Sequence, residues 1–357
     1  MLIERIKLKN YRNYASEEVL FSPGLNLVTG GNAQGKTNLL ESIFVACVGK
    51  SPRSRDRDLI AAGRERAFIQ MHSRGIAGGV TTEMVLSRSE NKRIVINGAS
   101  LSRTGEMLGI VGAVYFHPDD LKLVKDAPES RRRFLDMAIS QLEPPYLRAL
   151  QQYRLALKQR NELLKQDRVT GDLLDAWDEQ LVRHGTVIVR SRLVFGRELA
   201  RFAAPAYDAI AAREGLELAY LPDIGSGEDY ATVLLENRDR DRRYGLTNRG
   251  PHRDDFELSV EGKPARQFAS QGQQRTAALA LKLAELKLVR ERISEYPMLM
   301  LDDVLSELDA HRSSRLFNAI PEEAQCLLTT TDLTTSAVPS GLACSVFRIR
   351  NGALSSA

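Results

Sequence analysis

Cysteine is scarce, with 3 in 357 residues, and Cys47, Cys326 and Cys344 lie too far apart to build a disulfide framework. That usage points to a reducing compartment. Neither Cys-x-x-Cys nor His-Glu-x-x-His occurs among these cysteines and the 5 histidines, which excludes the familiar zinc patterns. No run approaches the ~18 apolar residues that a membrane span needs. The opening MLIERIKLKN is charged from its fourth residue and lacks the apolar stretch of a secretory signal. The expectation is a soluble, cytoplasmic chain with no membrane partner. A large excess of one charge is also missing: Lys+Arg 50 against Asp+Glu 46 gives +4, which permits a polyanionic partner without indicating one. Internal repeats and low-complexity tracts are absent. What is present is 43% hydrophobic residues, enough for a sizeable core, in a length of roughly two domains at about 150 residues each.

Apolar and charged residues alternate around Ile6–Leu8, as in a half-buried strand. The run Leu25-Asn26-Leu27-Val28-Thr29 reads as a short strand, and Lys36 to Val48 carries Leu39, Leu40, Ile43, Phe44 and Cys47 at helical spacing. Short β runs at Phe68–Met71, Thr82–Leu86 and Arg93–Ile96, the last closed by Asn97-Gly98, predict an antiparallel β subdomain. Val111–Phe116 reads as one more buried strand. After His117-Pro118 the pattern turns helical. Leu150, Leu157 and Leu164 fall seven apart, and Trp177, Leu181, His184 and Ile188 follow i, i+4, i+7, i+11. These predict an arm of packed helices, too short in heptads for a long coiled coil. The run from Arg238 to Arg243 reads as solvated helix or loop, and Phe256–Val260 as a hairpin strand. A strong helix pattern covers Gln273 to Glu291, and buried strands are predicted at Pro297–Leu301 and Gln325–Thr330.

The chemistry concentrates in GGNAQGKT. Gly30, Gly35, Lys36 and Thr37 match Gly-x4-Gly-Lys-Ser/Thr, with Gly31, Asn32, Ala33 and Gln34 between. Glycines let the backbone curl so that successive N–H groups point at phosphate oxygens. The helix beginning at Lys36 turns its positive end to the same anion. Lys36 adds a charge on the phosphoryl group, and Thr37 a hydroxyl for Mg²⁺. Four fixed positions match by chance in roughly one chain of this size in a hundred, and the strand before and helix after reduce that further.

Asp302-Asp303 closes the buried strand near Leu299, where a P-loop site is completed. Asp302 is the candidate Mg²⁺ residue and Asp303 the candidate general base for the attacking water. A strand ending in a solvated acidic turn is the plainer reading of these two alone; the P-loop upstream decides against it. Ser270-Gln271-Gly272-Gln273 opens the Gln273–Glu291 helix and offers a second anion site. One γ-phosphate and two anion sites fit a symmetric dimer, each copy closing over the other's ATP.

Taken together, these residues resemble the ABC-type ATPases that include the SMC proteins, and within them the RecF family of bacterial replication and recombinational repair. The blocks are Asn10 to Tyr14, GGNAQGKT, His117 to Asp136, Gly250 to Leu258, Ala269 to Arg275 and Leu301 to Asp309. The resemblance spans nearly the whole chain. It implies an α/β fold: an ABC/SMC-like P-loop ATPase head with an antiparallel β subdomain, formed by residues 1–117 with 250–357. A mostly helical arm, residues 118–249, is inserted into it. It implies that Ser270, Gln271, Gly272 and Gln273 act as signature loop in trans, and that Asp309 is the D-loop acid facing a partner subunit. It further implies ATP and Mg²⁺ as cofactors, slow DNA-dependent hydrolysis used as a switch, and an ATP-dependent homodimer on gapped or junction DNA. Help to RecA loading with RecO and RecR, and a part in SOS induction, belong to the same implication.

The chain departs from general ABC patterns. Asp303 stands where many members have Glu, Thr331 where many have a switch His, and no Gln follows Tyr115-Phe116, leaving His117 or Asp119 for that role. Arg53, Arg55 and Arg57, and then Arg131, Arg132 and Arg133, are candidates for phosphate contacts with DNA; solvated faces or internal ion pairs are the plainer alternative. Two other classes share the nucleotide motifs. A transporter's ATPase subunit would lack the helical insertion, and an SMC-type tether would need far more heptads.

Overall fold

The computed structural model describes residues 1–166, 171–211, 214–225, 228–331 and 343–356. Its centre is a six-stranded sheet in the order Ala353–Ser356, Cys344–Arg350, Leu25–Thr29, Cys326–Thr330, Met298–Leu301, Ala113–Phe116. The last five run parallel, and Ala353–Ser356 returns antiparallel at the edge. The near-continuous apolar runs LNLVT, MLML and CLLTT are fully buried, as parallel strands covered on both faces must be. These strands come from both ends of the chain.

Period-two alternation sends neighbouring residues to opposite layers. Val28, Met298, Met300 and Leu327 join one core with the helix Lys36–Val48 and the antiparallel sheet. Leu27, Leu299, Leu301 and Leu328 join a second core with the helices behind. The antiparallel sheet is also six-stranded, in the order Tyr14–Leu20, Leu2–Tyr11, Arg66–Gly75, Gly78–Ser87, Arg93–Ile96, Ala99–Ser100. Its Asn97-Gly98 turn has φ of 49° and 82°, the left-handed pair of the expected hairpin.

Behind the central sheet lies the helix Gln271–Ile293, buried along most of its length between Gln274 and Val289. Against it packs Gly171–Ala211, a helix of 41 residues, about 60 Å at 1.5 Å per residue. The helix Pro144–Leu164 runs antiparallel to it, as the pairings Tyr146–Arg192 and Arg160–Asp178 show. Leu150 and Leu164 are buried and Leu157 half-buried, so the seven-residue stripe is a packing seam. A third sheet, Leu216–Leu221, Asp255–Val260 and Lys263–Pro264, ties the arm helices to the chain that returns from them.

The run from Arg238 to Arg243 is not simply solvated. It forms the helix Arg238–Tyr244, in which Asp241 is fully buried and accepts from Arg160 Nη1 at 2.7 Å. Arg238 reaches Asp178 at 2.7 Å. Arg and Asp three apart share one helix face, and that face meets the arm's interior; Arg240, Arg242 and Arg243 point to solvent.

Candidate nucleotide site

The strand Leu25–Thr29 ends at Gly30, and the loop to Lys36 is held on three sides. Gly30 has φ 152°, and a Cβ there would lie 2.5 Å from the Ile349 carbonyl oxygen. Gly35 has φ 122°, with Asn13 Nδ2 2.7 Å from where a Cβ would sit. Both positions therefore require glycine. Asn13 Nδ2 donates to the Gln34 carbonyl at 2.8 Å, and Tyr14 Oη to the Gly35 carbonyl at 2.8 Å. From the other side, Asn351 N–H donates to Gln34 Oε1 at 2.6 Å.

Lys36 Nζ donates to the carbonyls of Gly30 at 2.6 Å and Gly31 at 2.9 Å. Burial holds its pKa below the usual lysine value, with Asp303 and Asp302 opposing the shift. Thr37 Oγ1 donates to Asp302 Oδ1 at 3.0 Å across 265 residues of sequence. Asp302 also accepts from Thr329 Oγ1 at 2.8 Å and Tyr115 Oη at 3.3 Å. Desolvation raises its pKa, and the hydroxyls of Thr329 and Thr37 counteract this. Asp303 is in the left-handed region with φ 51°. Its N–H donates to Thr329 Oγ1 at 2.9 Å, and its carbonyl accepts from Arg275 Nη2 at 3.0 Å. Its Oδ1 is buried without a hydrogen-bond partner.

A cavity of about 260 Å³ joins these groups, lined by Asn32, Ala33, Gly35, Lys36, Thr37 and Asn38 together with Arg53, Asp302 and Asp303. Arg53 therefore changes assignment. Its guanidinium grips the buried Glu41, Nε to Oε1 at 3.0 Å and Nη2 to Oε2 at 3.1 Å, and it lines the phosphate-loop cavity instead of an outer DNA face. Glu41 also accepts from Arg12 at 3.0 Å and Ser51 at 2.6 Å. Burial alone would raise the Glu41 pKa, but the bonds from Arg53 and Ser51 hold it below the carboxylate norm.

Ser270, Gln271, Gly272 and Gln273 stand apart from that cavity. Ser270 is exposed at the N-cap of Gln271–Ile293, accepting from Gln273 N–H at 3.2 Å while its own N–H donates to Gln273 Oε1 at 2.8 Å. Asp309 is exposed too, capping Ala310–Ala319 through Arg312 N–H at 2.8 Å. Within one chain, then, the loop, Thr37, Asp302 and Asp303 converge, and the serine-led helix tip and Asp309 face outward. Thr331 lies on the loop's other flank, with Gly30, Gly31 and Arg348. His117 and Asp119 line a neighbouring cavity of about 340 Å³ that includes Arg53 and Tyr115. Burial lowers the His117 pKa.

Arg131 is a correction. It is buried and bonds Asp255 through Nε at 2.5 Å and Nη2 at 2.9 Å, so it fastens the helix Pro128–Leu142 to the third sheet and offers nothing to DNA. Arg132 is half-buried and donates to the Asp254 carbonyl at 2.7 Å. Arg133, Arg55 and Arg57 are exposed. The block Gly250 to Asp254 is structural: His252 Nδ1 lies 2.7 Å from Tyr153 Oη, and Asp254 accepts from Arg192 at 2.8 Å.

Thr329, Tyr115, Glu41 and Arg275 were not singled out from the sequence. Glu41 gave a signal, as a carboxylate inside an otherwise apolar helix. Thr329 gave none beyond ending a buried strand.

The parallel sheet, the glycine loop and helix, and the paired carboxylates at the next strand but one define a P-loop ATPase head of the ABC/SMC type. The chain belongs to the RecF/RecN/SMC N-terminal domain family, whose profile matches residues 2–351. It is 41% identical to the DNA replication and repair protein RecF of Exiguobacterium sp., over 99% of this chain and 98% of that one. To the RecF of Symbiobacterium thermophilum it is 43% identical, over 93% and 92%. Among solved structures it is similar to the recombination mediator protein RecF with ATP in the RecFOR pathway, with TM-score 0.90, 34% identity and coverage of 99% and 97%. It shares the fold of an SMC head bound to the C-terminal winged-helix domain of ScpA, at TM-score 0.61 and 16% identity, over 100% of this chain and 97% of that one. Among the described residues no helix is long and apolar enough to cross a membrane.

Proposed function

We propose that this chain is an ATP-dependent DNA-binding protein of replication and recombinational repair. ATP binding joins two copies on gapped or junction DNA, and slow hydrolysis releases them. The observation that carries this is the meeting of Thr37 and Asp302 at 3.0 Å beside Lys36. The loop amides and Lys36 bind phosphate oxygens, and Asp303 orients the attacking water. Thr37 and Asp302 are hard oxygen donors within hydrogen-bond distance of one another, a pair that suits Mg²⁺. When bound, Mg²⁺ neutralises charge on the phosphate oxygens.

We read residues 1–117 with 250–357 as the head and 118–249 as the arm. Ser270, Gln271, Gly272 and Gln273 complete the partner's site, with Asp309 at the interface. The names of the relatives, RecF and the RecFOR pathway, support a repair role; with it we take RecO and RecR as partners and RecA loading as the task. Arg55, Arg57 and Arg132 remain as DNA contacts. The test is Lys36→Met: nucleotide affinity and ATP-dependent retention of gapped DNA in a gel shift should both disappear. Unchanged ATP affinity would refute the assignment.

A further inference from the structure

A cleft of about 530 Å³ opens between the end of the P-loop helix, the helix Pro128–Leu142 and the two long arm helices. It shares no lining residue with the phosphate-loop cavity. Five cations line it, Lys50, Arg132, Arg133, Arg154 and Arg192, against two carboxylates, Glu129 and Asp136. Asp136 is already divided between Arg154 and Arg192, each at 2.7 Å, and Arg192 leans also on Asp254 behind the wall. Lys50 and Arg133 are exposed and have no carboxylate within salt-bridge distance among the described residues. Arg132 holds only a backbone carbonyl. Partial desolvation and then repulsion from Arg133, Arg154 and Lys92, opposed by Asp136, depress the Lys50 pKa, as expected where cations outnumber carboxylates. The remaining wall is apolar, formed by Met137, Leu147, Leu150 and Leu157.

We infer that this cleft receives one unstacked nucleotide of a single-stranded DNA segment, its phosphates on Lys50, Arg132, Arg133 and Arg154 and its base on the apolar wall. The inference rests on the DNA-binding reading above. Volume decides against duplex, because the cleft is the size of a small-ligand pocket while the major groove alone is about 12 Å wide. Arginine forks suit phosphate oxygens. The base is held without reading its identity: Tyr153 and His252 face the cleft but turn their polar atoms to each other, to Tyr230 and to the Thr247 carbonyl. Single-strand binding of this kind tolerates any sequence.

Fluorescence anisotropy of labelled oligo-dT, a gapped duplex and a blunt duplex, with a non-hydrolysable ATP analogue, tests this on the full chain. Lys50→Glu/Arg133→Glu should weaken oligo-dT and gapped duplex at least about tenfold. Removing two single-strand phosphate contacts at about 0.7 each should lower the salt slope by about 1.4. ATP-analogue affinity should stay unchanged, as should DNA binding by Arg183→Glu/Arg190→Glu on the outward face of the longest helix. If the glutamates disturb ATP binding, Lys50→Gln/Arg133→Gln should give the same ranking. Unchanged oligo-dT affinity overturns the inference, as does an equal loss in the Arg183/Arg190 pair. Retained DNA affinity with lost binding of a poly-glutamate peptide assigns the cleft to an acidic protein segment and overturns it too. A wild-type chain that holds none of the three DNAs overturns the DNA-binding reading itself.

Discussion

Asp303 combines two properties that constrain what can replace it. Its backbone is left-handed at φ 51°, a region that most side chains enter only at about 1–2 kcal/mol and that Asn and Asp tolerate best. Its Oδ1 is buried without a partner next to Lys36. Asp303→Asn therefore keeps the backbone unstrained and the side chain isosteric while removing the proposed base. ATP binding should persist and steady-state turnover should fall about 10²-fold or more, measured by phosphate release; turnover within twofold of wild type would disqualify Asp303. The loop residues that line the phosphate-loop cavity were legible in the sequence because a P-loop demands particular residue types at fixed spacing. Thr329 was not, since a buried threonine at a strand end announces no partner until the fold brings Asp302 and Asp303 to it. Arg53 and Arg131 were misplaced for a related reason. A basic run in sequence does not tell which arginine turns inward, and the carboxylates that capture these two, Glu41 and Asp255, sit 12 and 124 residues away.

Elements are joined here by buried charge. Arg192, on the longest helix, donates to Asp136 at 2.7 Å, Asp254 at 2.8 Å and the Pro251 carbonyl at 2.7 Å. It pins three segments at one point. Arg192→Ala leaves the buried Asp254 without its cation and Asp136 with Arg154 alone, which costs about 3–5 kcal/mol. The urea midpoint should fall accordingly, and a shift worth under about 1 kcal/mol would contradict the pin. Beside it, burial lowers the His252 pKa from 6.5 to about 4. A histidine neutral in the folded state and protonated when unfolded destabilises the fold as pH drops from 6.5 toward 4. The full effect is on the order of 3 kcal/mol at 1.36 kcal/mol per unit. His252→Gln should flatten this acid limb of stability against pH; an unaltered limb would assign it elsewhere. Most elements were readable from periodicity. The C-terminal strands Cys344–Arg350 and Ala353–Ser356 were not singled out, although their Asn351-Gly352 turn grips Gln34 of the phosphate loop. The helix Arg238–Tyr244 was read as solvated throughout because an inward Asp241 matches the outward Asp239 in sequence.

At the scale of the molecule, one copy holds a site built from one side only. Loop, Lys36, Thr37, Asp302 and Asp303 share a cavity that Ser270 does not reach, while Ser270 stands exposed at the N-cap of a 23-residue helix whose middle is buried. Arg275, on that helix, touches the Asp303 carbonyl at 3.0 Å, so the helix tip is rigidly referenced to the catalytic strand of its own copy. A rigid helix tip is an anion site, and in the proposed dimer a triphosphate on a second copy would supply the anion. Under that reading, hydrolysis would remove the bridging γ-phosphate and dissolve the contact. Ser270→Arg places a bulky cation at that tip without touching the phosphate loop. It should leave ATP affinity intact and abolish the ATP-induced rise in sedimentation coefficient seen with wild type and a non-hydrolysable analogue. A variant that dimerises as wild type does would remove the trans role of Ser270. A wild type that stays monomeric when saturated with the analogue would remove the switch.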